Sequence, residues 1–370
     1  MQRTNCTELL TLAPGLTDPR WIGEAGVVSG LQYADAMPGG NDTLQCTLGR
    51  EADWWDQRIA PGRIVQAYRG GMVVWEGIMQ SPQPSDQGWQ LNAIGAGHYG
   101  DFYAAYDTGG FVNSDPAVNN AISRGMRWVN PGIGNTGMYL NQPPNDVSLQ
   151  VSDWLNQITS PGAYTWHVGP WNVLSVFEIP TTVTRLLVAN SPAARTLAGY
   201  INALYAYYQA TADTTSGSTS VPATYGVAEA ENDASIAVHG RYEIGWDTTS
   251  AGIMTGSEAA LAAAEVLARY TAASYANSFT VGYGQYLTTG GQPVDLGAER
   301  AGEVCRLILA SGGSGGDIVP DLTCTFPVGA IAYDDDQQTA AVTPFQSVRS
   351  DISSLLQAAS SVLTSPTSVS

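Results

Sequence analysis

Hydrophobic and polar positions alternate along much of the first hundred residues. From Trp89 to Ile94 the apolar Trp89, Leu91 and Ala93 interleave with Gln90 and Asn92, the period of two expected of a strand with one face on a core and one toward water. Just upstream, Arg63 to Tyr68 and Met72 to Met79 are β-rich runs separated by Gly70-Gly71, a pair that supplies the positive φ angles of a tight hairpin. Earlier runs at Thr7 to Leu12, Gly26 to Ala34 and Thr43 to Leu48 complete five or six strands, with Pro38 to Asp42 as a turn between the last two. That number is enough to close a small barrel or sandwich.

After Gly100 the pattern becomes mixed. Asp115-Pro116 predicts a helix start leading into Ala117 to Arg124. A second helix is predicted from Ser148 to Ile158, with Val151, Trp154, Leu155 and Ile158 on one face and Pro161-Gly162 as its stop. Strands at Tyr164 to Val168 and Asn172 to Phe177 flank Gly169-Pro170. A second strand-rich block begins near Arg185 and includes an aromatic run from Thr196 to Gln209, after which Thr211 to Ser220 reads as a mobile loop. Ser235 to Val238 and Arg241 to Ile244 are predicted as short strands. Ser257 to Tyr270 is the clearest helix, capped by Ser257, with Glu258 in its first turn and a stripe of Leu261, Ala264 and Leu267. Strands resume at Ser278 to Tyr283, Glu303 to Leu309, Leu322 to Phe326 and Ala330 to Tyr333, with Ser311 to Gly316 as a glycine loop. A C-terminal helix is predicted with Thr343 as cap, Pro344 in its first turn and Val348, Ile352, Leu355, Leu356 and Ala359 as its apolar stripe. A disordered tail is expected from Thr364 to Ser370.

Length and composition extend this picture. A chain of 370 residues exceeds the roughly 250–300 residues at which a single core stops growing, so two or more packed units are expected. Hydrophobic residues make up 44% and charged residues 13%, low beside the roughly 25% charged residues of an ordinary soluble domain. All fifteen basic residues are Arg, and the formal charge is −18. Without clustered positive charge, binding of nucleic acid is disfavoured, although an acidic chain could still form a conduit through which DNA passes without sticking. Cys6, Cys46, Cys305 and Cys324 lie far apart and lack CxxC spacing, so buried free thiols are expected. Met1 to Leu10 contains no secretory apolar run, and no stretch approaches the roughly 18 apolar residues of a membrane span, so assembly in the cytoplasm is expected.

The search for chemistry returns few candidates. His98, at a strand end, His167, within a strand, and His239, before Gly240, have no partner in a recognisable frame, and each reads as structural. HExxH, GxSxG and GxxxxGK[ST] are all absent. Gly95-Ala96-Gly97-His98-Tyr99-Gly100 matches a dinucleotide-loop spacing, but no helix with an apolar stripe follows. Asp334-Asp335-Asp336 is dense enough to attract a hard cation, yet it lacks the glycine and distal glutamate of a calcium loop and reads as a solvated turn. Trp54-Trp55-Asp56 could stack on sugar beside a carboxylate, although tryptophans in β proteins are more often core. No catalytic, cofactor-binding or metal-ligating residue is assigned, and no cofactor is expected.

The order of segments, strand-rich, mixed, strand-rich, helix-bearing and strand-rich again, resembles the tail hub family of phage tails and related injection machines. Gly62-Arg63-Ile64-Val65, then Gly70 to Ile78, then Gly88 to Gly95 is similar to the strand, hairpin and strand succession of siphophage hub and minor tail proteins. Asn232 to Glu243 resembles a family strand of the form D-x-S-I, and Ser257 to Tyr270 resembles the helix after it. The resemblance spans most of residues 1 to 345, and nothing in it resembles the peptidase or lysozyme modules that some tail-tip proteins carry. It implies a mainly β fold with α/β insertions and two tail-tube-like β-barrels per chain. The first barrel would take residues 1–105, and the second 186–250 together with 279–345. A mixed α/β insertion domain would comprise 106–185 joined by 251–278, followed by a C-terminal helix and tail at 346–370. It further implies a non-enzymatic homotrimer in the virion tail tip, with a distal tail protein, a tape measure protein and other tail-tip proteins as partners. The alternatives left open are a receptor- or carbohydrate-binding tail protein and a cell-wall hydrolase.

Overall fold

A computed structural model describes residues 6–49, 56–102, 129–131, 150–159, 164–189, 195–196, 201–211, 214–216, 219–248, 253–270, 274–275, 278–309 and 325–345. The chain divides into two compact units, one built from Met1–Ala193 with Asn277–Phe345 and the other centred on Ala194–Ala276.

The first unit opens with strands Glu8–Ala13 (β1), Thr17–Trp21 (β2), Val28–Ala36 (β3), Gly39–Leu48 (β4), Ile64–Arg69 (β5), Met72–Met79 (β6), Gln83–Ser85 (β7) and Gly88–Gly95 (β8). A short strand at Asn130–Pro131 (β9) and a helix at Val151–Thr159 (α1) precede Tyr164–Val168 (β10), Val173–Glu178 (β11) and Arg185–Ala189 (β12). The second unit holds Arg195–Thr196 (β13), Ala203–Thr211 (β14), Thr214–Ser216 (β15), Thr219–Val221 (β16), Thr224–Glu231 (β17), helix Asp233–His239 (α2), Glu243–Asp247 (β18), helix Gly256–Tyr270 (α3) and Ser274–Tyr275 (β19). The chain then returns to the first unit through Phe279–Val281 (β20), Tyr286–Thr288 (β21), Val304–Leu309 (β22), Thr325–Asp334 (β23) and Thr339–Pro344 (β24).

Antiparallel pairing runs β2–β1–β5–β6–β8–β4–β3 and continues through β3–β23–β22. The β5–β6 hairpin turns at Gly70 and Gly71, whose φ values of 57° and 79° place both in the left-handed region, the conformation that matches strand twist in a two-residue turn. Alternation in β8 buries Leu91 and Ala93 against β4, while Gln90 faces water. Trp75, Leu48, Met79 and Tyr99 are almost wholly enclosed and form the bulk of this core. β10 adds to β4 in parallel, with Val168 opposite Gly40, and β11 pairs with β10, which brings the middle of the chain into the same sheet.

In the second unit, β14 lies between β17 and β18, and Leu204, Ala206 and Ala228 pack against Ala259, Ala263 and Leu267 of α3. Thr255 and Glu258 form a capping box: the Thr255 N–H and hydroxyl donate to Glu258 Oε2, and the Glu258 N–H donates to Thr255 Oγ1.

The strand pairing redraws several expectations. Among the described residues of 186–250, only β12 joins β21 and β22, and β23 continues to β3 in the first unit, whereas β14, β17 and β18 form a sheet of their own, so 186–250 and 279–345 as a whole do not build one sheet. Residues 164–178, expected in an insertion domain with 251–278, belong to the large sheet, and α3 packs in the second unit. No circuit of strand pairings closes into a barrel among the described residues. Ser235 to Val238 is helical rather than extended, because Asn232 caps the turn by accepting from the Ser235 N–H at 3.0 Å. Thr255, not Ser257, caps α3, and its buried stripe is Ala259, Ala263 and Leu267, leaving Leu261 at 64% exposure and Ala264 outside. Thr343 and Pro344, expected as the cap and first turn of a helix, are the last residues of β24. Within the expected loop Thr211 to Ser220, β15 pairs with β16. Strands β2 and β7 carry too little apolar alternation to be seen in the sequence, and both add to the edges of better-marked neighbours. The helix predicted at Ala117 to Arg124, Trp54-Trp55, Cys324 and the predicted C-terminal helix at 346–370 lie outside the described residues.

Candidate functional site

The glycine-rich turn after β8 is a packing device. The chain enters a 3-10 helix, Ala96–Phe102, rather than an α-helix that could face a pyrophosphate. A Cβ on Gly95 would lie 2.0 Å from the Asn41 carbonyl oxygen, one on Gly97 2.8 Å from Gly39, and one on Gly100 2.8 Å from the Ser152 nitrogen. Three close backbone approaches account for the spacing. His98, carried by this turn, is clamped between carboxylates: Nε2 lies 2.6 Å from Asp42 Oδ1 and Nδ1 3.0 Å from Asp101 Oδ2. The hydrogen bond to Asp42, with that to Asp101 in support, pushes its pKa up to about 9, so the ring is cationic at neutral pH. Asp101 also accepts from Ser152 Oγ at 2.5 Å, tying the turn to the start of α1.

The acidic triplet belongs to a second framework. Asp334 ends β23 and accepts from Gln32 Nε2, Asp335 accepts from Thr7 Oγ1 at 2.8 Å and Arg69 Nη1 at 2.9 Å, and Asp336 accepts from the Gly30 N–H at 2.7 Å. Each carboxylate points to a different partner, and no group of three or more His, Cys, Asp or Glu residues among the described residues is arranged to hold a metal ion. Arg69 is the centre of this framework. It is 5% exposed, contacts both oxygens of Asp295 through Nε at 2.7 and 2.8 Å, reaches Gln338 through Nη2, and lies 5.0 Å from the centroid of the Tyr333 ring.

His167 Nε2 is 3.0 Å from both oxygens of Asp35, which also accepts from the Ala301 N–H, 266 residues away along the chain. Deeper still, Glu76 is 1% exposed and accepts from Gln66 Nε2 at 2.7 Å and Asn172 Nδ2 at 2.5 Å. Burial raises its pKa above the ordinary carboxylate value, an effect the two amide donors oppose. Asn172 and its neighbour Trp171 both have left-handed backbone, with φ of 52° and 61°, and Trp171 is 58% exposed at the tip of the β10–β11 turn. The buried carboxylate therefore anchors a strained turn that presents an aromatic ring outward.

Of the residues that the sequence singled out, His98 and His167 are thus both tied to carboxylates, Asp334 to Asp336 close a hairpin, and Asp56 caps a short 3-10 helix through the Arg58 N–H. The side chain of His239 is outside the described set. Of the expected buried thiols, Cys46 and Cys305 are enclosed, while Cys6 is exposed. Arg69, Asp35 and Glu76 were not singled out, although each is a lone charge within or beside a β run. No helix among the described residues is long and apolar enough to cross a membrane.

No family model and no curated protein matches this chain. Among solved structures, the 43 kDa tail protein of prophage MuSo2 from Shewanella oneidensis is similar, with TM-score 0.60 and 12% identity over 93% of this chain and 100% of that one. The prophage tail protein gp18 from Listeria monocytogenes EGD-e aligns with TM-score 0.59 and 9% identity over 96% of this chain and 99% of that one. The tail protein from Neisseria meningitidis MC58 aligns with TM-score 0.56 and 11% identity over 92% of this chain and 96% of that one. The polar frameworks described above are therefore built on a fold shared, from end to end, with phage tail proteins.

Proposed function

We propose that the chain is a structural, non-enzymatic subunit of a phage tail-tip hub, three copies of which form a ring that continues or closes the tail tube in the virion. The observation that carries this reading is the end-to-end likeness to tail proteins, 93% of this chain against 100% of the Shewanella protein, which leaves little of the described fold for a separate catalytic module. The described polar residues Asp35, Arg69 and His98 tie distant strands together, which supports a structural role. In this reading the ring meets a distal tail protein on one side and the tape measure and other tip proteins on the other, and DNA passes through it at ejection. With −18 per chain, three copies carry −54 formal charges, which suits a lumen that does not retain phosphate. The Asp334 to Asp336 hairpin is the candidate for its wall.

Mass photometry of the purified protein tests the ring: a trimer of about 117 kDa, three times the 39.0 kDa chain, is expected. A stable dimer ends the reading, as does a cryo-EM map of the particle with this chain traced away from the tail tip. Release of soluble fragments from cell-wall substrate by the purified chain would end its non-enzymatic part.

A further inference from the structure

The small sheet of the second unit has one face under α3 and one face open. The pleat that sends Leu204 and Ala206 toward α3 sends Tyr205 and Tyr207 to the opposite side. Register places Glu229 opposite Tyr205, Val227 opposite Tyr207, and Tyr225 opposite Gln209 on that same side. Among the described residues nothing covers it: Tyr207 is 42%, Tyr225 52% and Val227 61% exposed. The Tyr207 and Tyr225 rings stack at 5.4 Å with 12° between their planes, forming an aromatic platform on a rigid support.

The same face already holds one cation. The Arg241 guanidinium lies 5.8 Å from the centroid of the Tyr205 ring and is held by Glu229 at 3.1 Å, Glu243 at 2.7 Å and Glu231. Three carboxylates gather around one positive charge, so the face keeps a negative surplus beside exposed aromatic surface. A second copy of this chain is a poor occupant, because two such faces would oppose like charges in a protein that already carries −18. A cationic side chain on the tyrosine platform would find both ring faces and carboxylates, as Arg241 does.

We propose that this open face docks a segment of a partner protein through arginine or lysine side chains, with Tyr207 and Tyr225 as its platform. The inference stands on the second unit alone and holds whether or not the protein forms a ring.

Fluorescence anisotropy of the full chain with a labelled peptide of alternating arginine and serine tests it, with a glutamate-serine peptide as control. The double substitution Tyr207→Ser with Tyr225→Ser leaves the charge unchanged and is expected to weaken binding at least tenfold. Tyr207→Phe with Tyr225→Phe keeps the rings and should stay within about threefold of the parent. Glu229→Gln with Glu243→Gln should weaken binding more than tenfold, and Asp86→Asn, an exposed charge in the other unit, less than twofold. Absence of arginine-peptide binding by the parent overturns the proposal. So does a serine double variant that remains within twofold, or an equal response to every lost carboxylate, since either outcome reduces the attraction to the field of the whole chain.

Discussion

Replacing Arg69 by Met tests whether the long-range ion pairs hold the large sheet together. The guanidinium is nearly enclosed, and it joins β5 to Asp295, to Asp335 in the β23–β24 turn, and to Thr7 ahead of β1. Methionine keeps much of the volume and removes the charge, leaving two carboxylates without their cation. Breaking a buried pair from one side costs about 3–5 kcal/mol. Asp335 is only 14% exposed and bears this cost nearly in full, but Asp295 at 29% recovers part of its hydration. We therefore expect a loss of about 3 kcal/mol, equivalent to ~6–12 °C in the melting of a unit of this size. Thermal unfolding followed by tryptophan fluorescence measures it. Adding Asp335→Asn to Arg69→Met should restore ~1 kcal/mol, because the stranded charge disappears. A loss below ~1 kcal/mol for Arg69→Met, or no recovery in the double variant, would refute the argument that this residue clamps the sheet.

Gly95→Ala should cost ~3 kcal/mol or more, because the new methyl meets the Asn41 carbonyl at 2.0 Å and backbone cannot yield as a side chain can; denaturant titration reads the loss. His98 contributes stability that is fully present below its unfolded value of 6.5 and is lost as pH rises through about 9. Its ring is 40% exposed, so solvent screening limits the effect to ~1 kcal/mol, and His98→Gln should flatten stability between pH 6.5 and 9 in a series of melts. Arg185→Lys preserves charge but loses the paired contacts of Nε and Nη2 with Glu299, at 2.8 and 3.2 Å, and the contact with Glu303. A fall of ~1–2 kcal/mol is expected in denaturant titration, and equal stability would mean that charge alone matters there.

The elements legible in the sequence were those whose signal is local. β8 follows from its alternation and the β5–β6 hairpin from Gly70-Gly71, because turn chemistry and pleat act within a few residues. β24 was hidden: Ala340 and Val342 alternate inward, but Thr343-Pro344 also reads as a helix start, and only pairing with β23 and β20 shows that both residues belong to the strand. In α3 the leucine at 261 pointed to a face that the structure leaves in water. Alanines 259 and 263 lie inward because the sheet beneath already supplies bulk through Tyr208 and Trp246, so a helix of small residues fits closest. The polar framework shows the same limit. Glu76 within Val73 to Met79 and Asp35 within Tyr33 to Met37 are visible as lone charges in apolar runs, but apart from Gln66 across the same hairpin their partners come from afar, from Asn172, His167 and Ala301. Separation along the chain, not weakness of the interaction, hid them.

The absence of lysine acquires a structural meaning once these partners are known. A lysine ammonium is a point charge that water solvates strongly, whereas a guanidinium offers five donors in a fixed plane. Arg69 spends its donors on Asp295, Asp335, Thr7 and Gln338; Arg185 on Glu299, Glu303 and the Thr184 carbonyl; Arg241 on three glutamates and Tyr205. Each joins segments that no hydrophobic pattern relates. In a chain with 13% charged residues and more than twice as many acids as bases, a few multidentate cations can each neutralise several carboxylates while fixing their directions. On the open face of β14 and β17 the three glutamates of the Arg241 knot outnumber its one cation and lie beside exposed tyrosine rings, the setting in which the proposed docking would let a cation from another molecule extend the same arrangement.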